Sequence, residues 1–514
     1  MNEHNITPSN SLLNKRHKDT NLNGLKPDFN FEKFNIGIGI EDIKAEADKH
    51  LQAFEPVKHK EILTRLLKQI EKIDFREHVG FKDENEKLGK KHFLVCSIEQ
   101  ILNIAQLNNW GICKNLSFVY LYNGAYWNLF DNAELQIFLG EAAEKMGIDK
   151  FDARLYSFRE QLYKQFLAVA NLPKPEQSNE VVYINLKNGT FEISPTKQEL
   201  RPPERKDFIT YLLPFEYDPN ANAPLFEKYL STVLPDIDRQ KILAEYLAYL
   251  FIKPSTLKLE KTLLLYGTGA NGKSVFFEVV NALLGGNENV SSYSLQNLTN
   301  DNGYFRAMLA NKLVNYASEI NGKLETSIFK QLVSGEPVEA RLPYGEPFTL
   351  TNYAKLIFNC NELPKDVEQS NAYFRRFLIV PFDITIPEGE QDKQLSQKII
   401  ENELSGVFNW VLEGLKRLLS QKNFTMSEAV NKQLENYKIQ SDSVQMFLAD
   451  EGFEKSTNDY KEFKELFDLY RVYCNESGYR SCGKKTFGER LRNAGFETKK
   501  KNFGLIVYVK KLSF

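Results

Sequence analysis

The apolar positions of this chain change period around residue 267. Leu263, Leu264, Leu265 and Tyr266 run without interruption, as in a strand buried on both faces; Val275, Phe276, Val279, Val280, Ala282, Leu283 and Leu284 recur at the spacing of one helix face. Strand signals then return at Leu313, Val314, Tyr316 and Ala317, at Ala354 to Phe358, and at Phe377 to Phe382, with helical patterns between them. Strands alternating with helices predict an α/β unit with a parallel sheet, continuing to about residue 385. Two shorter runs, Val338 to Leu342 and Phe348 to Leu350, flank Pro343-Tyr344-Gly345 and predict a β-hairpin.

The rest of the chain divides by the same criteria. Residues 1–30 are rich in Asn, Lys, Ser and Thr, with little to bury, and read as a flexible tail. Residues 31–94 read as helical, with Ile43, Ala47 and Leu51 on one helix and Ile62, Leu66 and Ile70 on another. Residues 95–225 mix helices with two hairpins, at Asn123-Gly124 and Asn188-Gly189, and close with a Pro-containing connector from Pro202 to Pro224. Residues 226–435 hold the α/β unit, a break at residues 386–390 and further helices. A small separate unit occupies 441–514: two helices, a Gly-bearing connection, a third helix and a terminal strand pair, the order of a winged helix. No internal repeat is present.

Length and composition narrow the class. A chain of 514 residues suggests three or four domains, and 42% hydrophobic with 26% charged residues is globular composition. The net charge of −2 leaves no global basic bias, so nucleic-acid contact must come from local patches. One such patch exists: from Arg480 to Lys511, Lys and Arg outnumber Asp and Glu ten to two. Lys484, Lys485, Arg490 and Arg492 fall on or near the third helix, and Lys499, Lys500 and Lys501 on the strand pair. They read as a DNA phosphate-binding surface, against the alternatives of a solvated face or a protein-docking module. Apolar runs fall far below the ~18 residues of a membrane span, and the polar N-terminus argues against secretion. Five cysteines without CxxC pairing read as reduced thiols of a cytoplasmic protein.

Between the first strand and its helix stands GTGANGKS: Gly267, Thr268, Gly269, Ala270, Asn271, Gly272, Lys273 and Ser274. The glycines let backbone N–H groups curl around phosphates, Lys meets the β/γ oxygens, and Ser ligates Mg2+, so the segment reads as an ATP site. Such a site needs an acidic residue at the end of a second strand. Glu319, about 45 residues beyond Lys273, fills that role as base and magnesium neighbour; Ser318 stands where many such ATPases carry Asp. Asn359 and Asn361 end the next strand, where an amide can orient the attacking water. Arg375 and Arg376 precede the last strand; paired arginines are commonly a solvated edge or salt bridge, and also what a ring ATPase offers to a neighbouring subunit's γ-phosphate. Arg341 and Tyr344 at the hairpin tip are a cation and an aromatic suited to a nucleic-acid backbone and base.

The ordered set GTGANGKS, NYASEI, FKQLVSGEPVEAR, IFNCNELP and YFRRFLIVPF, within about 115 residues, resembles the superfamily 3 helicase domain of phage and plasmid primase-helicases, relatives of the poxvirus-type primase-helicase. YNGAYWN, INLKNGTFEI, LPFEYDPNANAP and EYLAYLFIKP are similar to the region preceding that domain, and the segment from SDSVQMFLADEG onward to its C-terminal winged helix. The resemblance implies an α/β fold with an AAA+-like P-loop NTPase core. It also implies ATP and Mg2+ as cofactors, Lys273 and Ser274 as phosphate and magnesium residues, Glu319 as catalytic acid residue, Asn361 as sensor, and Arg375 or Arg376 as finger. A hexameric ring with single-stranded DNA in its channel, touched by hairpins that include Arg341, is implied as well.

The family's primase domain has no room in the first 95 residues, so no primer synthesis is expected of this chain, and a separate primase or polymerase is a natural partner. The expectation is thus an ATP-driven helicase in the cytoplasm of a bacterial or phage-infected cell. An ATP-switched DNA-binding initiator or adaptor is the alternative, and a small-molecule kinase a weaker third.

Overall fold

The computed structural model describes residues 56–83, 85–115, 118–170, 181–194, 197–318, 320, 324–343, 345–364 and 367–512. The expected tail, the helix expected around Ile43 to Leu51, and two site candidates, Glu319 and Tyr344, lie outside these residues. The chain divides into Met1–Phe54 and Glu55–Phe514, and everything described belongs to the second unit.

Its first module is mostly helical. Helices His59–Gln69, Lys90–Leu107, Asn132–Met146 and Tyr156–Val169 enclose their own core, including Leu66, Ile101, Leu139 and Phe158. Against them lies an antiparallel sheet of β1 (Gly111–Asn115), β2 (Phe118–Tyr122) and β3 (Trp127–Phe130). The expected turn sits between β2 and β3, where the Asn123 side-chain oxygen accepts the N–H groups of Ala125 at 3.0 Å and Tyr126 at 2.9 Å.

A second antiparallel sheet joins β4 (Val182–Leu186), β5 (Gly189–Ile193) and β6 (Gln198–Arg201). Leu186 pairs with Gly189, so the turn residues are Lys187 and Asn188, and the glycine opens the second strand. It does so at φ +147°, where a Cβ would lie 2.7 Å from the Arg201 carbonyl. The buried side chains of β4 and β5 join the core of the large sheet that follows, not that of the helical module.

The large sheet comprises β7 (Thr262–Tyr266), β8 (Val290–Ser291), β9 (Val314–Ala317), β12 (Lys355–Cys360) and β13 (Phe377–Pro381). All pairings are parallel, in the order β13-β7-β12-β9-β8. This is the α/β fold the alternating pattern predicts. Leu263 and Leu265 face a core shared with Phe276 and Val279 of helix Lys273–Leu283, while Leu264 faces a second core with Phe329, Phe358 and Tyr373. Burial on both faces explains the unbroken apolar run of β7. The hairpin of β10 (Val338–Arg341) and β11 (Pro347–Leu350) stands apart as a two-stranded sheet.

The C-terminal module packs helices Ser443–Asp450, Phe463–Glu476 and Lys484–Asn493 against an antiparallel sheet. Its order is β14-β16-β15, from β14 (Phe453–Glu462), β15 (Thr498–Lys501) and β16 (Gly504–Lys511). β14 gives no strand signal in its polar sequence FEKSTNDYKE; pairing with β16, through a register shift between Lys455 and Tyr460, makes it a strand.

One packing feature has a measurable cost. The Lys355 amine donates to the Ile252 carbonyl at 2.7 Å and lies 4.4 Å from the Tyr249 ring centroid. Burial pushes its pKa down from 10.5 to about 7. Between those pH values the folded chain binds fewer protons at this site than the unfolded chain, so this group makes stability rise with pH from about 7 to 10.5. Lys355→Met is expected to raise stability by roughly 1 kcal/mol at pH 7, with the gain vanishing near pH 10.5; urea unfolding at both pH values measures it.

Candidate functional site

The carboxyl ends of parallel strands are where α/β sheets place ligands, and β7 delivers residues 267–272 there. Gly269 at φ +120°, Ala270 at +49° and Gly272 at +86° turn the loop back on itself. A Cβ on Gly267 would fall 2.1 Å from the Asn271 amide nitrogen, and one on Gly272 would fall 2.7 Å from Val233, so both positions require glycine. The loop is tied down from all sides. Gly267 N–H donates to the Cys360 carbonyl at 3.1 Å, and Ile386 N–H to the Ala270 carbonyl at 2.8 Å. Asn271 donates to the Phe382 carbonyl at 3.1 Å, and the Tyr229 hydroxyl to the Gly272 carbonyl at 2.8 Å.

Meanwhile the loop's own donors are left over. Among the described residues, none of the backbone N–H groups from Thr268 to Val275 donates to a protein acceptor. The first of these belong to the loop and the last to the opening turn of helix Lys273–Leu283, whose dipole adds positive potential. The Lys273 amine turns into the loop, 2.7 Å from the Gly267 carbonyl and 2.8 Å from the Asn271 side-chain oxygen, and burial lowers its pKa. Ser274 is exposed one residue on. The arrangement is an anchored row of donors ending on one buried amine, chemistry suited to a polyanion.

Two other strand ends adjoin it. β12 lies between β7 and β9, with Cys360 opposite Tyr266 and Phe358 opposite Ala317. Asn361 therefore follows β12 directly beside the loop, exposed, and Ser318 follows β9. Asn359 is occupied elsewhere, accepting the Tyr316 hydroxyl at 3.0 Å.

Arg375 and Arg376 are not brought to this end. Arg376 carries the carbonyl that accepts Thr262 N–H at 2.8 Å, and Phe377 pairs with Thr262, so both arginines sit at the amino end of β7. With ~3.3 Å per strand residue they stand about 15 Å from their own loop. The two also differ from each other. Arg376 is 8% exposed, donates to Ser334 Oγ at 2.9 Å and lies 3.6 Å from Glu260; Arg375 is 58% exposed and touches Glu260 at 3.2 Å.

On the hairpin, exposed Arg341 bonds back to the Gly345 carbonyl at 2.9 Å. In the C-terminal module Lys484, Lys485, Arg492, Lys499 and Lys500 are exposed, and Lys501 is half-buried beneath aromatic rings. Arg490 departs from the expectation of a solvent-facing cation: it is 19% exposed and pairs with Asp442 at 3.2 Å, which fixes the third helix to the start of the first.

Sequence reasoning missed Tyr229 and Glu260, whose partners lie far away in the chain. It also missed Arg239, which bonds the Pro381 carbonyl at 2.8 Å and Asp383 at 2.8 Å beside the carboxyl end of β13. None carries a local signal.

Three family models match the chain. Residues 100–235 match "D5 N terminal like", 265–376 match a family of unknown function, DUF5906, and 439–512 match "Poxvirus D5 protein-like". The two D5-like models thus match on either side of the loop unit. No curated protein matches. Among solved structures, the apo structure of the NrS-1 C terminal region (305-718) is 14% identical with a TM-score of 0.46, covering 80% of this chain and 98% of its own. A second, the A form apo structure of the same region, is also 14% identical with a TM-score of 0.44 and the same coverage. No helix among the described residues is long and apolar enough to cross a membrane.

Proposed function

We propose that this chain is an ATP-dependent, ring-forming DNA helicase acting in the replication of a phage, plasmid or other mobile element. The observation that carries the reading is the unsatisfied N–H row from Thr268 to Val275, closing on the Lys273 amine. A row of fixed donors with one buried cation matches the charge and shape of a nucleoside triphosphate tail. Ser274 would hold magnesium, which when bound neutralises charge on the β and γ oxygens. Asn361 orients the attacking water, and Glu319 accepts its proton.

The arginine for the γ-phosphate comes from the neighbouring subunit in this reading, because Arg375 and Arg376 stand at the far end of β7 and Arg239, at the loop end, is held by Asp236 and Asp383. Arg375 is the one exposed enough to reach. Head-to-tail contacts of this kind close into a ring, here a hexamer, with Arg341 and Tyr344 toward single-stranded DNA in the channel. The C-terminal module reads as a winged helix, with Lys484, Lys485, Arg492, Lys499 and Lys500 toward phosphates.

Glu319→Gln is expected to keep ATP affinity and lose hydrolysis, since the carboxamide fills the same space without accepting a proton. Nucleotide titration beside a phosphate-release assay checks it; lost affinity would mean a structural role. The whole reading is tested on a forked DNA duplex with ATP. Strand separation supports it; ATP-dependent binding without separation favours an initiator or adaptor; turnover that depends on a small-molecule acceptor favours a kinase.

A further inference from the structure

The strand-pair end of the C-terminal module carries aromatic rings that its core does not use. β15 and β16 pair down to Lys501 opposite Gly504, which leaves Asn502 and Phe503 as the turn. Such turns favour Gly, Asn, Asp and Ser, and a phenylalanine 58% exposed there gains less from burial than a core ring would. It does not stand alone. Tyr460 on β14, 45% exposed, lies 6.5 Å from the Phe503 ring and 6.4 Å from the ring of Tyr508 on β16. The Lys501 amine sits 4.0 Å from the centre of the Tyr460 ring and 5.8 Å from that of Phe503. Lys499 and Lys500, both exposed, continue the positive charge along β15.

We infer that Tyr460 and Phe503, with Lys501 between them, form a stacking platform for unpaired bases of single-stranded DNA. Two half-exposed rings spaced by a cation and edged by lysines match a strand whose bases offer π-faces and whose backbone offers negative charge. A duplex does not fit this surface equally, because its bases are already stacked on one another. The inference rests on the DNA reading above and adds to it a preference for single over double strands, set by two aromatic residues. Both are exposed, so their replacement leaves the fold unburdened.

The test uses the full chain and a fluorescent single-stranded oligonucleotide, with a duplex of the same length alongside. Tyr460→Ala with Phe503→Ala is expected to weaken single-strand binding about tenfold or more, with the slope of affinity against salt unchanged, because no phosphate contact is lost. Duplex binding is expected to stay within about twofold of the unaltered chain. Phe503→Trp, which enlarges the ring, is expected to hold or tighten single-strand binding and to show tryptophan quenching on addition of the oligonucleotide. Equal single-strand affinity for the double variant and the unaltered chain, or equal losses on single strand and duplex, overturns the platform. If the unaltered chain binds neither form of DNA, the DNA reading fails first and the platform with it, whereas a DNA-binding chain indifferent to the two rings loses only the platform.

Discussion

Lys273→Ala is expected to reduce ATP hydrolysis by on the order of 10²- to 10³-fold or more and to abolish strand separation, with thermal unfolding little changed. The amine makes two bonds within its own loop, to the Gly267 carbonyl and the Asn271 side chain, and none to the rest of the fold. The loop itself is fixed independently, by Cys360, Phe382, Ile386 and Tyr229. Removing the amine therefore takes away the charge that meets the β/γ oxygens while the backbone cradle persists. Burial already lowers the pKa of Lys273, so its ammonium form is costly to keep without an anion, and the alanine variant should not be less stable for losing it. Steady-state turnover with and without DNA, beside a melting curve, is the measurement. Undiminished turnover would refute the site.

Arg375→Ala is expected to leave ATP binding intact and to slow hydrolysis by on the order of 10³-fold. Arg376→Ala is expected to do something different: it removes a buried guanidinium bonded to Ser334 and facing Glu260, and should cost roughly 2 kcal/mol of stability. The Arg375–Glu260 pair at the surface contributes little to stability, so the two variants separate cleanly in a melting experiment. Mixing Arg375→Ala with Lys273→Ala then tests the subunit arrangement. In a mixed ring some interfaces join an intact loop from one variant to an intact arginine from the other, and part of the activity should return. No return, in rings whose mixing is verified by sizing, would mean that Arg375 serves its own chain or only the surface.

The elements around the loop were legible in the sequence because the rules that set them are local. Leu263 to Tyr266 can only be a strand buried on both faces once the glycines stop it, and apolar residues at Phe276, Val279 and Leu283 can only be one side of a helix. The hairpin from Val338 to Leu350 follows equally from its turn residues. Even so, Asn188-Gly189 marked the right hairpin with its turn one residue off, since the pairing of Leu186 with Gly189 depends on the opposite strand.

Tertiary structure decided what the local rules leave equal. Arg375 and Arg376 are adjacent, identical in type and both within reach of Glu260, yet Ser334, distant in the chain, takes up only Arg376, which is buried while Arg375 stays in solvent. Arg490 and Arg492 read alike on one helix, and Asp442 claims only the first. Asn359 lies within β12 and Asn361 just past its end: the Tyr316 hydroxyl takes up the Asn359 side-chain oxygen, while Asn361 stays exposed at the tip. The insertion of β12 between β7 and β9, which puts Asn361 beside the loop, has no counterpart in chain order. Sequence thus determined which segments become strand, loop and helix, because those choices depend on a residue and its near neighbours. Only the packed sheet decided which polar side chains stay available for chemistry, because a charge or amide is spent or spared by partners that long-range pairing brings to it.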